Sequence, residues 1–184
     1  MKILITGAAG FIGSKLSYEL LKDKKNIIYG VDNLNSYYSV KLKKKRILNL
    51  KKKKNFRFFK IDLKNIKNFK KLKNQKIDII FHFAAQAGVR FTLSEPKKYF
   101  DDNLKVFFNI LDFVKNQKIK KLFFASSSSV YGDQKKYPLS EENTRVISIL
   151  QQNYEFTHNK EDYCCFILWI SIIHSININH KLLL

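Results

Sequence analysis

Met1-Lys2-Ile3-Leu4-Ile5-Thr6-Gly7-Ala8-Ala9-Gly10-Phe11-Ile12-Gly13 opens the chain, and its reading decides the fold. An apolar run suited to a buried strand stops at three glycines spaced G-x-x-G-x-x-G. An amphipathic stretch from Phe11 to Leu21 follows at once. Strand, tight turn and helix N-terminus in that order can cradle a pyrophosphate. Glycine permits a positive φ in the turn and lets the backbone approach phosphate without a Cβ between them. The free N–H groups and the dipole of the new helix then face the negative charge.

Such a turn needs an acid about 20 residues further on, at the end of a second strand. Asn26-Ile27-Ile28-Tyr29-Gly30-Val31-Asp32 supplies the strand, and Asp32 lies nineteen residues after Gly13. A carboxylate there accepts hydrogen bonds from ribose hydroxyls and repels a 2′-phosphate, so NAD is expected as cofactor in preference to NADP. The plainer reading of Asp32 is a turn residue before Asn33.

Working outward, strands and helices alternate. Strands are expected at 2–6, 26–32, 56–61, 77–83 and 121–126, and helices at 11–23, 39–50, 66–72 and from Ser94-Glu95-Pro96 to about Lys115. Ser94 suits an N-cap, and proline is tolerated in a first turn. The helix at 39–50 is lysine-rich, with Val40, Ile47, Leu48 and Leu50 among its apolar positions. This alternation predicts an α/β fold, a Rossmann-type doubly wound parallel sheet with all strand C-termini at one ligand-binding edge.

Length and composition set bounds. The 184 residues suffice for one well-buried domain, and 45% apolar content is globular. The formal charge is +20 and lysine dominates, because the only arginines are Arg46, Arg57, Arg90 and Arg145. Runs such as Lys43-Lys44-Lys45-Arg46 would suit a polyanion, but the excess is spread along the chain. Lysine filling solvated positions is therefore the preferred reading, and nucleic acid is not the expected partner. Cys164 and Cys165 are adjacent, with no disulfide framework or metal spacing, which fits a reducing, cytoplasmic compartment. No metal site is expected. The chain opens on a strand rather than a signal peptide, and the apolar run Cys164–Ile173 is too short to span a bilayer.

The remaining polar clusters sit at strand ends. Phe83-Ala84-Ala85-Gln86-Ala87-Gly88-Val89-Arg90 follows the fourth strand, and its small residues let the backbone run close beneath a cofactor. Ala125-Ser126-Ser127-Ser128-Ser129-Val130-Tyr131-Gly132 follows the fifth, with four serines that can donate and accept hydrogen bonds.

Together, G-A-A-G-F-I-G, D-N-L-N-S-Y-Y, H-F-A-A-Q-A-G-V-R and A-S-S-S-S-V-Y-G resemble the extended short-chain dehydrogenase/reductase family. Within it they resemble the NAD-dependent nucleotide-sugar epimerases and dehydratases. Asp32 to Tyr38 with Leu42-Lys43 is most similar to the UDP-glucuronate 4-epimerase branch, and the resemblance covers residues 1–142. It implies that Gly7, Gly10, Phe11, Ile12 and Gly13 line the pyrophosphate. Asp32 and Asn33 would hold the adenosine ribose, Asp62 and Leu63 the adenine, and Ala84, Ala85 and Gln86 would pass under the nicotinamide-side ribose. Asn103 would steady the loops after strands four and five. Ser127 would bond the sugar hydroxyl being oxidised, and Arg90 would lie near a nucleotide-sugar substrate. Full-length members can be homodimers. In such enzymes NAD accepts a hydride from the sugar C4 and returns it to the other face, while a tyrosine of a Tyr-x-x-x-Lys pair handles the proton.

The chain departs from that pattern after residue 142. By spacing, Leu150 stands where the tyrosine belongs and Tyr154 where the lysine belongs. Tyr131 and Lys135 match the spacing but belong to the V-Y-G loop. Residues 1–142 are therefore expected to form an NAD-binding Rossmann domain. Residues 143–184 would be an aberrant tail produced by a frameshift near Thr144 to Leu150, and the substrate lobe would be lacking. The expected function is that of a UDP-glucuronate 4-epimerase-like enzyme, catalytically incomplete in this chain. The alternatives are a stand-alone dinucleotide-binding module with a polyanion-binding surface, or a dehydratase or reductase of the same family.

Overall fold

A computed structural model describes residues 1–86 and 95–125. Five parallel strands form one sheet in the order β3-β2-β1-β4-β5. They are β1 (Lys2–Thr6), β2 (Ile27–Asp32), β3 (Phe56–Lys60), β4 (Ile79–His82) and β5 (Lys121–Phe124). The central strand pairs Lys2 to Thr6 with Ile27 to Val31 on one side and Ile3 to Thr6 with Ile79 to His82 on the other. The expected doubly wound architecture is present.

Side-chain alternation along β1 divides the interior. Leu4 joins Val31, Ile80, Ile110 and Leu111 on one face; Ile3 and Ile5 join Ala8, Ala9, Ile47, Leu50 and Phe56 on the other. Helices α1 (Phe11–Leu20) and α2 (Val40–Lys51) supply the second core, and a long helical rod supplies the first. That rod comprises α3 (Pro96–Phe100), a π turn at Asp101–Lys105 and α4 (Val106–Gln117).

Several local expectations are refined. The helix at 66–72 is instead two 3-10 segments, Ile66–Lys71 and Lys73–Gln75. The stretch is too short to nucleate an α-helix readily, and Asn68 Nδ2 donates to Asp62 O at 2.9 Å, holding it against the β3 exit. The N-cap expected at Ser94 lies outside the described residues; Glu95 occupies the cap position without a side-chain capping hydrogen bond. In α2 the buried face is Lys43, Ile47 and Leu50, whereas Leu48 is exposed. The solvated reading of lysine therefore fails at Lys43. It faces inward because its ammonium finds Asn35 as an acceptor.

Candidate functional site

At the sheet's C-terminal edge, the chain leaving β1 passes to α1 on one face, and the chain leaving β4 runs towards the rod on the other. A crevice opens between them, as it does wherever strand order reverses in an open parallel sheet. It has a cavity volume of about 120 Å³ and is lined by Gly7, Gly10, Asp32, Asn33, Asp62, Leu63, Ala84, Ala85 and Gln86. Nine of the residues singled out from the sequence thus converge here from four strand ends.

The glycine turn is shaped by close approaches. Gly7 has φ +67°, and a Cβ there would lie 2.8 Å from the carbonyl carbon and oxygen of Phe83. A Cβ at Gly10 would lie 2.9 Å from Gly7 O, and one at Gly13 would collide with that same oxygen. Gly10 N–H donates to Gly7 O at 2.8 Å, closing the turn. Helix α1 then begins without a side-chain cap. The N–H groups of Phe11, Ile12 and Gly13 at a helix start have no intrahelical acceptors and suit an anion. The cradle therefore fits a pyrophosphate. The side chains of Phe11 (78% exposed) and Ile12 do not line the crevice, so only their backbone can serve it. Gly13 is buried behind the turn.

Asp32 anchors the next strand end. Its Oδ2 accepts from Ala9 N at 3.1 Å and its Oδ1 from Leu34 N at 2.8 Å. The carboxylate is thereby aimed, and each oxygen keeps a lone pair for a further donor. Asn35, Tyr37, Tyr38 and Lys43 also line this side. Lys43 Nζ donates to Asn35 O at 2.9 Å and Oδ1 at 2.5 Å, and lies 4.4 Å from the Tyr38 ring centroid. Burial lowers its pKa, an effect opposed by the charge of Asp32 and reinforced by Arg46.

On the β3 side, Lys64 Nζ bridges Asp102 at 2.8 Å and Asp62 at 3.8 Å, and the bond to Asp102 raises its pKa. Asn109 Nδ2 donates to Leu63 O and Lys64 O at 2.8 and 3.1 Å, tying this loop to α4. Beyond β4, Gln86 N donates to Asn103 Oδ1 at 2.7 Å, and Asn103 Nδ2 donates to Gln86 O at 3.2 Å. Asn103 is held in the π turn and grips the loop from behind; it does not line the crevice.

One buried pair escaped the sequence reading. Thr6 Oγ1 accepts from Phe83 N at 3.2 Å and Ala84 N at 3.1 Å, and lies 2.7 Å from His82 Nδ1. With both lone pairs engaged, the hydroxyl donates its proton to Nδ1. His82 is therefore a neutral imidazole carrying its proton on Nε2, and burial holds its pKa down to about 4. Arg46, Tyr38, Lys43 and Asp102 were likewise assigned no role from sequence, although Tyr38 and Lys43 fell within the quoted motif. Tyr18–Lys22 and Tyr37–Lys41 also carry Tyr-x-x-x-Lys spacing. Tyr18 lies off the crevice among the ammonium groups of Lys15, Lys22 and Lys53, and Tyr37 lies on its β2 side.

Ser127, Arg90, Tyr131, Lys135, Leu150, Tyr154 and the 143–184 segment lie outside the described residues. Among the described residues, no helix is long and apolar enough to cross a membrane, and no group of three His, Cys, Asp or Glu could hold a metal.

A 3-2-1-4-5 parallel sheet with a glycine turn at its switch point defines a Rossmann-type domain of the dinucleotide-binding class. The family model described as "NAD dependent epimerase/dehydratase family" matches residues 3–160, and the chain belongs to that family. The match runs past residue 142. Protein CapI of Staphylococcus aureus is 45% identical over 140 residues, which are 76% of this chain and 42% of that protein. UDP-glucuronate 4-epimerase 2 of Arabidopsis thaliana is 37% identical over 144 residues, covering 78% and 33%. The crystal structure of UDP-glucuronic acid 4-epimerase from Bacillus cereus with UDP-glucuronic acid and NAD superposes with a TM-score of 0.70 at 38% identity, covering 77% and 45%. The chain thus spans less than half the length of these relatives.

Proposed function

We propose that this chain binds NAD in the crevice and provides the cofactor-binding part of a UDP-glucuronate 4-epimerase-like enzyme. The observation that carries the reading is the uncapped start of α1 beside a glycine turn, with the Asp32 carboxylate aimed across it. The similarity to UDP-glucuronate 4-epimerases supports the substrate class.

In this reading residues 1–142 form the NAD-binding unit. The backbone of Gly7, Gly10, Phe11, Ile12 and Gly13 holds the pyrophosphate; Asp32 and Asn33 take the adenosine ribose hydroxyls, with Lys43 beside them. Asp62 and Leu63 border the adenine. Ala84, Ala85 and Gln86 support the nicotinamide-side ribose, with Asn103 positioning Gln86. The family resemblance assigns Arg90 and Ser127 to the nucleotide sugar. Bound NAD would supply a reversible hydride acceptor at the sugar C4. The family's tyrosine base has no counterpart at Leu150, so the chain is catalytically incomplete by itself. A reducing cytoplasmic setting, and a homodimer for the full-length enzyme, belong to the same reading.

Calorimetric titration with NAD, followed by an epimerisation assay on UDP-glucuronate, tests it. Binding without turnover is expected. Absence of NAD binding overturns the cofactor assignment, and turnover overturns the claim that the base is missing. Salt-sensitive nucleic-acid binding in place of NAD binding favours the basic-module alternative.

A further inference from the structure

We propose that Arg46 and Tyr38 form a latch that fixes the geometry of the phosphate-binding turn through the carbonyl of Ala9. The proposal rests on the NAD reading above but makes its own claim about the unliganded turn. Glycines at 7, 10 and 13 leave the turn with soft dihedrals, so something outside it must select one conformation.

Ala9 is fully buried, and its peptide groups are held on both sides. Its N–H donates to Asp32 Oδ2 at 3.1 Å. Its carbonyl accepts from the Tyr38 hydroxyl at 3.2 Å and from Arg46 Nη1 at 3.2 Å. Arg46 Nη1 also donates to Tyr38 OH at 3.0 Å, which closes a three-membered ring of hydrogen bonds. The tyrosine hydroxyl therefore accepts from the guanidinium and passes its own proton to Ala9, and both lone pairs of that carbonyl are engaged.

The consequence follows from peptide planarity. Ala9 C=O and Gly10 N–H share one rigid plane, so pinning the oxygen orients the N–H that closes the turn onto Gly7 O. It also sets the entry into α1, where Gly10 has φ −69° and ψ 174°. Released, the plane can rotate, and the N–H groups at the helix start lose their common aim. Arg46 and Tyr38 are positioning residues in this scheme, reaching the turn from α2 and from the loop after β2.

The test uses the full chain and two near-isosteric variants, Arg46→Met and Tyr38→Phe. Amide hydrogen exchange without ligand should show Gly10 N–H exchanging roughly tenfold faster in either variant, with β1 amides unchanged. Affinity for NAD and for ADP-ribose should fall about 5- to 20-fold in either variant, whereas adenosine, which lacks the pyrophosphate, should change by less than about twofold in Arg46→Met, whose side chain does not line the crevice. The double variant should lose little beyond the worse single one, because both groups act on one oxygen. Arg46→Lys should recover part of the affinity by restoring a single donor. Unchanged Gly10 exchange overturns the latch, as does an equal loss for adenosine in Arg46→Met. Failure of the parent chain to bind NAD overturns the cofactor reading instead, and Gly10 exchange still decides the latch.

Discussion

Replacing Gly7 with alanine adds one methyl group at the tightest crossing in the fold. The residue has φ +67°, where an L side chain costs about 1–2 kcal/mol. The new Cβ would lie 2.8 Å from Phe83 C and O and 2.9 Å from Ala84 N. Ordinary carbon contacts are about 3.5–4.0 Å, so the two segments must separate by roughly 1 Å. Neither side yields easily, because the atoms struck are backbone and Phe83 and Ala84 are tied to Thr6 Oγ1. Losing one or both of these bonds costs about 1–2 kcal/mol, so the total is about 2–4 kcal/mol. Urea unfolding followed by circular dichroism should move the midpoint down by about 1–2 M, given a slope near 2 kcal/mol per molar. Gly10→Ala is the control, since its φ is −69° and the one close contact is Gly7 O. It should cost less than Gly7→Ala. A Gly7→Ala variant within about 0.5 kcal/mol of the parent would refute the view that contact between the β1 and β4 exits requires glycine.

Other outcomes follow from the same geometry. The neutral His82, with its pKa near 4 in the folded chain and 6.5 when unfolded, binds its proton less readily when folded. Stability should be complete above pH 6.5 and fall by about 3 kcal/mol as the pH drops towards 4; a pH series of urea titrations checks this. An identical pH slope in His82→Phe would show that another group is responsible. Asp32→Ala should weaken NAD binding about 10- to 100-fold and narrow the preference over NADP, since a charged acceptor is lost where a 2′-phosphate is repelled; calorimetry with both nucleotides reads the ratio. Asn103→Ala removes the two hydrogen bonds that its side chain makes to the backbone of Gln86. It should destabilise the fold by about 1–3 kcal/mol, measured by urea unfolding, and wild-type stability would count against the clamp.

Much of this was legible in the primary structure because the signals are local. The strand-turn-helix at 2–20 and the acid at Asp32 lie within one unit whose hydrophobic period and glycine spacing need no distant partner. The elements were likewise readable wherever one periodicity dominates, as in the near-continuous apolar run that yields β4. The 66–72 segment misled because a short amphipathic pattern does not distinguish an α-helix from 3-10 turns. The inward face of α2 misled for a different reason. Hydrophobicity assigns Lys43 to solvent, and only the acceptors at Asn35, brought round by the loop after β2, make its burial tolerable.

The glycine turn and the parallel α/β alternation were legible in the sequence alone, because each rests on backbone permissiveness or periodicity within a short stretch, whereas Asn33, Asp62 and Leu63 were singled out only by the family resemblance. Tertiary structure decided what holds those residues in place. Thr6 meets His82 across 76 positions, and Ala9 meets Arg46 across 37. Such pairings depend on which strands become neighbours, and a hydrogen bond between distant residues leaves no period or spacing in the chain to read.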